Sequence, residues 1–311
     1  MRFAPRAGRS PARPAASPAA ARALLRAFAF AGLLLPLASQ ALSAVDDDTR
    51  EVRLAAPARR IVSLSPGITE TLFGLGAGAQ VIAASEFSDT PAAARALPRV
   101  ARAQGIDLEA IAALHPDLIV AWGSGYSPAL LDALRRLGVP VYICEPRTLE
   151  AIASTVERLG TLAGAAGAPA VAASFRARLQ GLRSRYAQRP PVRVFYQIWA
   201  NPLMTLSGRH LASEILRACG ARNVFADQAP LVATVDAEAV LAARPEVIVT
   251  SEPGAQDHGA LEFWKRYPQI PAVAAGLLFT LDSDEMDRQS LRTVDAAEKL
   301  CGDVERARVV R

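Results

Sequence analysis

Two tryptophans stand where predicted buried strands end and loops begin. Trp122 precedes Gly123, and Trp199 lies shortly before Asn201–Pro202. In open α/β sheets, ligands bind beyond the carboxyl ends of parallel strands, and large flat apolar ligands need aromatic walls there. Both tryptophans are therefore candidate cleft walls. A core position is the alternative, because an aromatic residue within a strand is more often part of the core.

Other predicted strand ends carry polar, aromatic and thioether side chains that could complete a noncovalent binding site. They follow three strands in the first half of the chain and two in the second. The predicted ligand-binding residues are Ser65, Pro66, Phe87, Trp122, Tyr126, Trp199, Met204 and Asp284.

Motifs for covalent chemistry are missing from the sequence. Gly74, Gly76 and Gly78 follow a helical pattern rather than a strand, so they do not form a dinucleotide fingerprint. Neither G-x-S-x-G nor H-E-x-x-H occurs. Ser65 lacks a glycine-flanked elbow, and a helix cap through Ser65 or Thr69 is favoured. We predict no catalytic residue, and a periplasmic enzyme is the alternative from another functional class.

The three histidines, His115, His210 and His258, do not cluster in the sequence. A metal site needs several converging ligands, so none is predicted. Haem needs only one axial tyrosine or histidine, for which Tyr126 and His210 are the candidates.

Residues 1–44 have the pattern of a secretory signal. Six arginines and no acidic residue precede the apolar run 27–38, and small residues follow. The apolar run is short for a membrane span, so a membrane anchor or a disordered arm is the weaker alternative. We therefore expect secretion into the periplasm.

The basic balance of the chain comes from this same segment. The formal net charge is +5, and the residues after position 44 sum to −1. No stripe of basic residues with interleaved aromatics follows, so we predict no nucleic-acid partner.

Three cysteines lie beyond the predicted signal. Cys144 falls in an apolar strand-like run, which favours a buried free thiol. Cys219 and Cys301 lie near the ends of predicted helices and are the favoured pair. Such a bridge would contribute about 4 kcal/mol in the loop-entropy model, although the sequence alone leaves the pairing open.

Short apolar runs alternate with Ala- and Leu-rich helical runs, which indicates an α/β fold with mostly parallel strands. The predicted strands are 60–64, 81–85, 118–122, 139–144, 192–199, 247–251 and 277–281.

An internal repeat indicates two related lobes. Residues 107–121 and 236–250 share seven of fifteen positions, and each unit predicts a capped helix, a proline turn and a buried strand. Between them, 169–188 contains one glycine and no proline after its first residue, which predicts one helix about 30 Å long. The fold class is therefore two Rossmann-like lobes joined by a rigid helix, with the ligand cleft between them. The predicted bounds are 1–44 for the signal, 45–166 for the first lobe, 167–189 for the bridging helix and 190–311 for the second lobe.

Three segments resemble the periplasmic binding proteins of cobalamin, haem and siderophore importers. They are SLSPGITETLFGL (63–75), LHPDLIVAW (114–122) and CGARNVF (219–225). The resemblance extends from about residue 59 to 301 and is greatest to the cobalamin-binding members.

The resemblance implies roles for individual residues. Trp122 matches an aromatic residue that packs on the corrin ring, and Asp284 matches an acidic residue near the ligand. Glu109 and Glu238 match glutamates that dock onto the two permease subunits, with helix-dipole stabilisation as the alternative role. Cys219 and Cys301 match a disulfide pair.

The aromatic cage of the family is thinner here. The family has tyrosine at Phe87, tryptophan at Ala103 and Leu231, and phenylalanine near Met204. Trp199 and Tyr126 are expected to refill the cage.

The resulting hypothesis is a monomeric periplasmic substrate-binding protein that carries a corrinoid to an ABC permease dimer with its ATPase. Cobalamin is the favoured corrinoid. It would hold no resident cofactor or metal. Haem or a ferric siderophore in the same role is the alternative.

Overall fold

The computed structural model describes residues 1–4, 8, 41–102, 105–256 and 259–310, and the chain from Ala41 onward forms one compact unit. Most of the predicted signal, as well as Ala103 and His258, lies outside the described residues.

The first lobe is a six-stranded sheet flanked by helices and preceded by a hairpin. Its strand order is β6-β5-β4-β3-β7-β8, and every neighbouring pair is parallel except β5–β6. The elements are β1 (Leu42–Val45), β2 (Glu51–Leu54), β3 (Ile61–Ser63), α1 (Pro66–Gly74), β4 (Val81–Ser85), β5 (Arg99–Arg102), β6 (Gly105–Ile106), α2 (Leu108–Ala113), β7 (Leu118–Trp122), α3 (Pro128–Arg135), β8 (Val141–Cys144) and α4 (Leu149–Ala163).

A long helix leads into a second six-stranded sheet of order β12-β10-β9-β13-β14, with β11 paired to β9. Strands β9, β11, β13 and β14 are parallel, and β10 is antiparallel to both of its neighbours. The elements are α5 (Ala168–Tyr186), β9 (Val192–Ala200), β10 (Leu203–Leu206), α6 (Leu211–Ala218), β11 (Ala221–Asn223), β12 (Val232–Thr234), α7 (Ala237–Ala243), β13 (Val247–Glu252), α8 (Pro271–Ala274), β14 (Leu278–Asp282), α9 (Ser283–Met286) and α10 (Thr293–Val310).

Helix α5 joins the lobes by packing into both of them. Its buried residues recur at alternating spacings of four and three, which places them in one stripe along the helix. The stripe contacts α4 of the first lobe and α6 and α10 of the second, inside one continuous hydrophobic core. On the exposed face, Arg176 pairs with Glu157 of α4 (2.6 Å), and Arg178 pairs with Asp295 of α10 (2.6 Å). The lobes therefore share a core along this helix.

The internal repeat is visible in the structure. Asp107 and Asp236 cap α2 and α7, and each carboxylate accepts a backbone N–H of its own first turn, at 2.9 and 2.7 Å. His115 and Arg244 follow the helices of the two units in the same left-handed conformation, at φ 45° and 48°, each directly before a proline. Strands β7 and β13 follow, as the repeat predicts.

The two units are also tied to their sheets in the same way. Asp117 accepts the backbone N–H groups of Arg59 and Arg60, and Glu246 accepts that of Arg193. The two-lobe α/β fold predicted from the sequence is confirmed.

An N-terminal hairpin precedes the first sheet. Its strand Glu51–Leu54 pairs with Leu42–Val45. Asp47 fixes the hairpin to the sheet by accepting the Glu145 N–H (2.6 Å) and pairing with Arg158 (2.7 Å). The predicted signal end at position 44 falls inside β1 and stays a prediction.

The disulfide between Cys219 and Cys301 is present and links the end of α6 to α10. Cys144 is a buried free thiol, as expected from its apolar run.

Candidate functional site

One cavity brings residues of both lobes together. It measures about 270 Å³ and lies beyond the carboxyl ends of β3, β7 and β14. We call it the cleft cavity. Its lining comprises Ser65, Pro66, Gly67, Ile68, Thr71, Trp122, Cys144, Pro146, Ile152, Thr155, Ser283, Asp284, Asp287, Arg288 and Gln289.

A second cavity of about 330 Å³ adjoins the first. We call it the side chamber. Ser65, Pro66 and Trp122 line both cavities, so the two form one continuous surface. Its other lining residues are Leu64, Ser85, Glu86, Phe87, Ala101, Arg102, Gly105, Gly125 and Tyr126.

Trp122 is the wall shared by the two cavities. It is the last residue of β7 and is 39% exposed, so it is not a core side chain. A Cβ at Gly125 would overlap the indole, which explains the glycine at that position. Ser124 donates its backbone N–H (2.8 Å) and its hydroxyl (3.0 Å) to Glu145, which fixes the loop after the tryptophan.

Phe87 is held in the side chamber with a strained backbone. Its φ of 62° is unusual for a bulky residue, and its side chain is 69% exposed. Below it, buried hydroxyls form a chain from Ser63 through Thr69 (2.8 Å) to Ser88 (3.1 Å). This buried chain stabilises the turn that presents the phenylalanine.

Tyr126 and Ser65, both predicted as ligand-binding residues, line the side chamber. The Tyr126 hydroxyl donates to the Leu64 carbonyl (2.8 Å), and burial raises the pKa of Tyr126 to about 12. The Ser65 side chain makes no capping hydrogen bond to α1, so the expected cap through Ser65 is wrong. The Thr69 hydroxyl instead donates to the Ser65 carbonyl within the helix.

Arg288 connects the cavity wall to the opposite lobe. Its guanidinium pairs with Asp284 (2.7 Å), Glu70 (2.8 Å) and Asp89 (3.2 Å). Glu70 belongs to α1 of the first lobe, and its side chain is only 3% exposed. Burial lowers the pKa of Arg288, but the hydrogen bond to Glu70 and the charge of Asp284 outweigh it, and the pKa is raised. Arg288 is therefore a charged bridge between lobes.

Two further contacts tighten the same junction. Ser290 donates its hydroxyl to Glu70 (2.7 Å), so both carboxylate oxygens of this buried acid have partners. A Cβ at Gly67 would overlap the carbonyl oxygen of Arg288. The start of α1 thus lies directly against the segment after α9.

Asp287 is a carboxylate of the cleft cavity that sequence reasoning missed. It accepts a hydrogen bond from the Ser251 hydroxyl (3.0 Å), and desolvation by the surrounding wall raises its pKa from 3.8 to about 6. Asp287 and Arg288 follow Asp284 by three and four residues. That helical spacing was the available signal, because such residues share a face.

Trp199 and Met204 line neither cavity. They lie opposite each other on β9 and β10, and Trp199 is 61% exposed. Because β9, β13 and β14 run parallel, Trp199 stands at the same sheet edge as Asp284. A role for this pair in ligand binding stays a prediction.

Glu109 and Glu238 occupy equivalent places, in the first turns of α2 and α7. Both side chains are exposed, and neither makes an ion pair or side-chain hydrogen bond with the described part of the chain.

The histidines within the described residues lie away from both cavities. His210 caps α6, where its Nδ1 accepts the Ala212 N–H (3.1 Å), and burial lowers its pKa. Across the described ranges, no group of three or more His, Cys, Asp or Glu side chains could hold a metal. No helix in the same ranges is long and apolar enough to cross a membrane.

Comparison with known proteins places this architecture in context. The family described as "Periplasmic binding protein" matches residues 61–285. The vitamin B12-binding protein of Vibrio cholerae serotype O1 is 39% identical over 246 residues, which is 79% of this chain and 88% of the relative.

Solved structures give the same result. The crystal structure of the periplasmic vitamin B12-binding protein BtuF of Vibrio cholerae matches with a TM-score of 0.73 and 39% identity, covering 81% of this chain and 98% of that one. The periplasmic haem-binding protein RhuT of Roseiflexus sp. RS-1 matches with a TM-score of 0.70 and 22% identity, covering 80% and 99%. At that identity, the second likeness shows the fold alone.

Replacing Glu70 tests the bridge between lobes. In Glu70→Gln the buried guanidinium loses its buried charge partner, and we expect the free energy of unfolding to fall by about 3 kcal/mol. Urea denaturation measures this loss. Asp89→Asn is the matched control, because Asp89 pairs with the same guanidinium but is 46% exposed, and it should cost less than about 1 kcal/mol. Equal losses in the two variants would contradict a central role for Glu70.

Replacing Asp287 tests the raised pKa. Since the pKa is higher in the folded state, the stability associated with the neutral acid is complete below about pH 4 and is lost as the pH rises through about 6. Asp287→Asn should therefore raise the melting temperature relative to the wild type more at about pH 7.5 than at about pH 4.5. Asp227→Asn, on the open surface, should show no such difference. A pH-independent effect of Asp287→Asn would refute the assignment.

Proposed function

Because the chain belongs to the periplasmic binding protein family, we propose that it captures a corrinoid in the cleft and delivers it to an ABC permease. Cobalamin is the expected corrinoid. The observation that carries this proposal is the continuous surface on which Trp122 meets Asp284 and Asp287 across two lobes. The 39% identity to proteins named vitamin B12-binding supports the choice of ligand.

The cleft has the chemistry that a corrinoid needs. Trp122, Phe87 and Pro66 offer apolar faces to a flat ring, and burying such faces provides most of the affinity. Asp284 and Asp287 place carboxylate oxygens on the opposite lobe, where they would accept the N–H groups of the amide side chains around a corrin. Trp199 and Met204 would extend the wall of the second lobe at the same sheet edge.

The frame of the protein favours a preformed cleft. The shared core along α5 and the Glu70–Arg288 pair hold the lobes together without a ligand. Little binding energy would then be lost to closure, so affinity would depend on the fit of the existing surface.

The haem alternative is less favoured by the site. The Tyr126 hydroxyl is bonded to Leu64, and the His210 Nδ1 is bonded to Ala212. Both candidate axial ligands are therefore engaged, whereas cobalamin carries its own axial ligation and needs only packing and hydrogen bonds. The two vitamin B12-binding relatives described above are named as binding proteins, which favours binding over an enzymatic role.

The expected location and partners follow from the same role. We propose that residues 1–44 direct secretion and that the mature monomer works in the periplasm. Glu109 and Glu238, one on each lobe, would contact the two subunits of a permease that is driven by its ATPase. Two exposed carboxylates at repeat-related positions suit a partner with two-fold symmetry.

Titration with cyanocobalamin tests the ligand. We expect calorimetric binding to the wild type and a loss of at least about tenfold in Trp122→Ala, because the shared wall of the cleft is removed. Phe263→Ala, a surface aromatic outside both cavities, should bind like the wild type. Haemin and a ferric siderophore are titrated in parallel. Absence of heat and of thermal stabilisation with cobalamin would end the corrinoid assignment but leave the transport role.

Replacing the two glutamates tests docking. Glu109→Ala/Glu238→Ala should keep ligand affinity and weaken binding to the cognate permease in nanodiscs, since both carboxylates lie on the surface away from the cavities. Glu51→Ala/Glu262→Ala also removes one exposed carboxylate from each lobe and serves as the control. Unchanged permease binding and transport in the first variant would withdraw the docking roles.

A further inference from the structure

The side chamber extends the cleft entirely within the first lobe. It joins the cleft cavity at Ser65, Pro66 and Trp122 and is walled by the aromatic side chains of Phe87 and Tyr126. A corrinoid is larger than either cavity. A ligand seated against Trp122 would therefore reach into both.

The walls of the side chamber are fixed before any ligand arrives. The buried hydroxyl chain from Ser63 to Ser88 supports the strained turn at Phe87, and the Tyr126 hydroxyl is bonded to the Leu64 carbonyl. Backbone strain at an exposed aromatic residue is tolerated when the surrounding structure imposes it, and such strain clusters at binding sites. The side chamber is therefore a preformed surface.

Arg102 gives this chamber a cation that has no ion-pair partner among the described residues. It is the last residue of β5, its side chain is exposed, and no described carboxylate lies within 4.0 Å of its guanidinium. Glu86 also lines the chamber and places a carboxylate there. The cleft cavity differs, because its own arginine, Arg288, is bound to three carboxylates.

We propose that the side chamber receives the anionic, base-bearing appendage of the ligand, with Arg102 bound to its negatively charged oxygens. In a complete cobalamin, that appendage is the nucleotide loop, which joins a phosphodiester to a planar benzimidazole. A planar base suits Phe87 and Tyr126, and a guanidinium is well matched to phosphate oxygens. This inference rests on the proposed function and makes Arg102 a specificity-determining residue.

The charges of the two cavities also set the orientation of the ligand. The cleft cavity offers the carboxylates Asp284 and Asp287, which accept hydrogen bonds and repel anions. The side chamber offers one cation, Arg102, beside a single carboxylate, Glu86, and is therefore less repulsive to an anion. A ligand with neutral amides around a ring and one anionic appendage would therefore bind in one orientation, with the appendage toward the first lobe.

The test compares cobalamin with cobinamide, which lacks the nucleotide loop. Arg102→Gln should weaken calorimetric binding of cyanocobalamin about tenfold and leave dicyanocobinamide within about twofold of the wild type. The loss should shrink as salt rises, because the lost contact is ionic. Arg59→Gln, an exposed arginine that lies at the amino end of the first sheet outside both cavities, is the matched control.

Each outcome separates this inference from the proposed function. Wild-type cobalamin binding that Arg102→Gln leaves unchanged, or weakens equally for cobinamide, overturns the nucleotide-loop assignment and keeps the corrinoid function. Failure of the wild type to bind cobalamin overturns both. Haemin, whose anionic oxygens are carboxylates, is the third ligand. If only haemin binds, and Arg102→Gln weakens haemin binding, then the side chamber binds a carboxylate and the nucleotide-loop assignment is wrong.

Discussion

The contact on which the site depends is the buried ion pair between Glu70 and Arg288. Glu70 comes from the first helix of one lobe, and Arg288 follows the last strand of the other, so the pair fixes the separation of the two cavity walls. Its geometry is fully satisfied, since Ser290 takes the second carboxylate oxygen and Asp284 the second guanidinium nitrogen. A buried pair of this kind contributes little net stability compared with apolar packing, but it strongly penalises any arrangement that separates its members.

The Glu70–Arg288 ion pair is one of two contacts that hold the lobes at a fixed separation around the site. The ion pair acts at the cavity, and the apolar stripe of α5 acts along the helix that joins the lobes. Because these two attachments lie at different places, we expect them to resist both hinge and twist motions of the lobes. Asp284 is held by the same guanidinium that bridges the lobes, so the position of this cavity-lining carboxylate and the lobe separation depend on one residue.

Much of the fold could be predicted from the sequence because parallel strands are buried on both faces and read as continuous apolar runs. The predicted strands at 81–85 and 118–122 coincide with β4 and β7. The antiparallel strands β10 and β12 were missed, since they are short and partly exposed. Trp122 and Asp284 were found from their positions after strands. Arg102 and Glu70 were not, because burial and pairing between distant segments leave no periodic signal in one sequence.

The core that the two lobes share bears on how this protein evolved and on how its lobes can be exchanged. The repeated units are consistent with the duplication of one half; each lobe keeps one core cluster of its own, and a third cluster is shared between the lobes along α5. A chain cut at its midpoint would leave the stripe of α5 in water on one side or the other. Because the largest cluster is shared, we expect the two halves to unfold together, and exchanging one lobe with that of a relative would require the central helix to be redesigned with it.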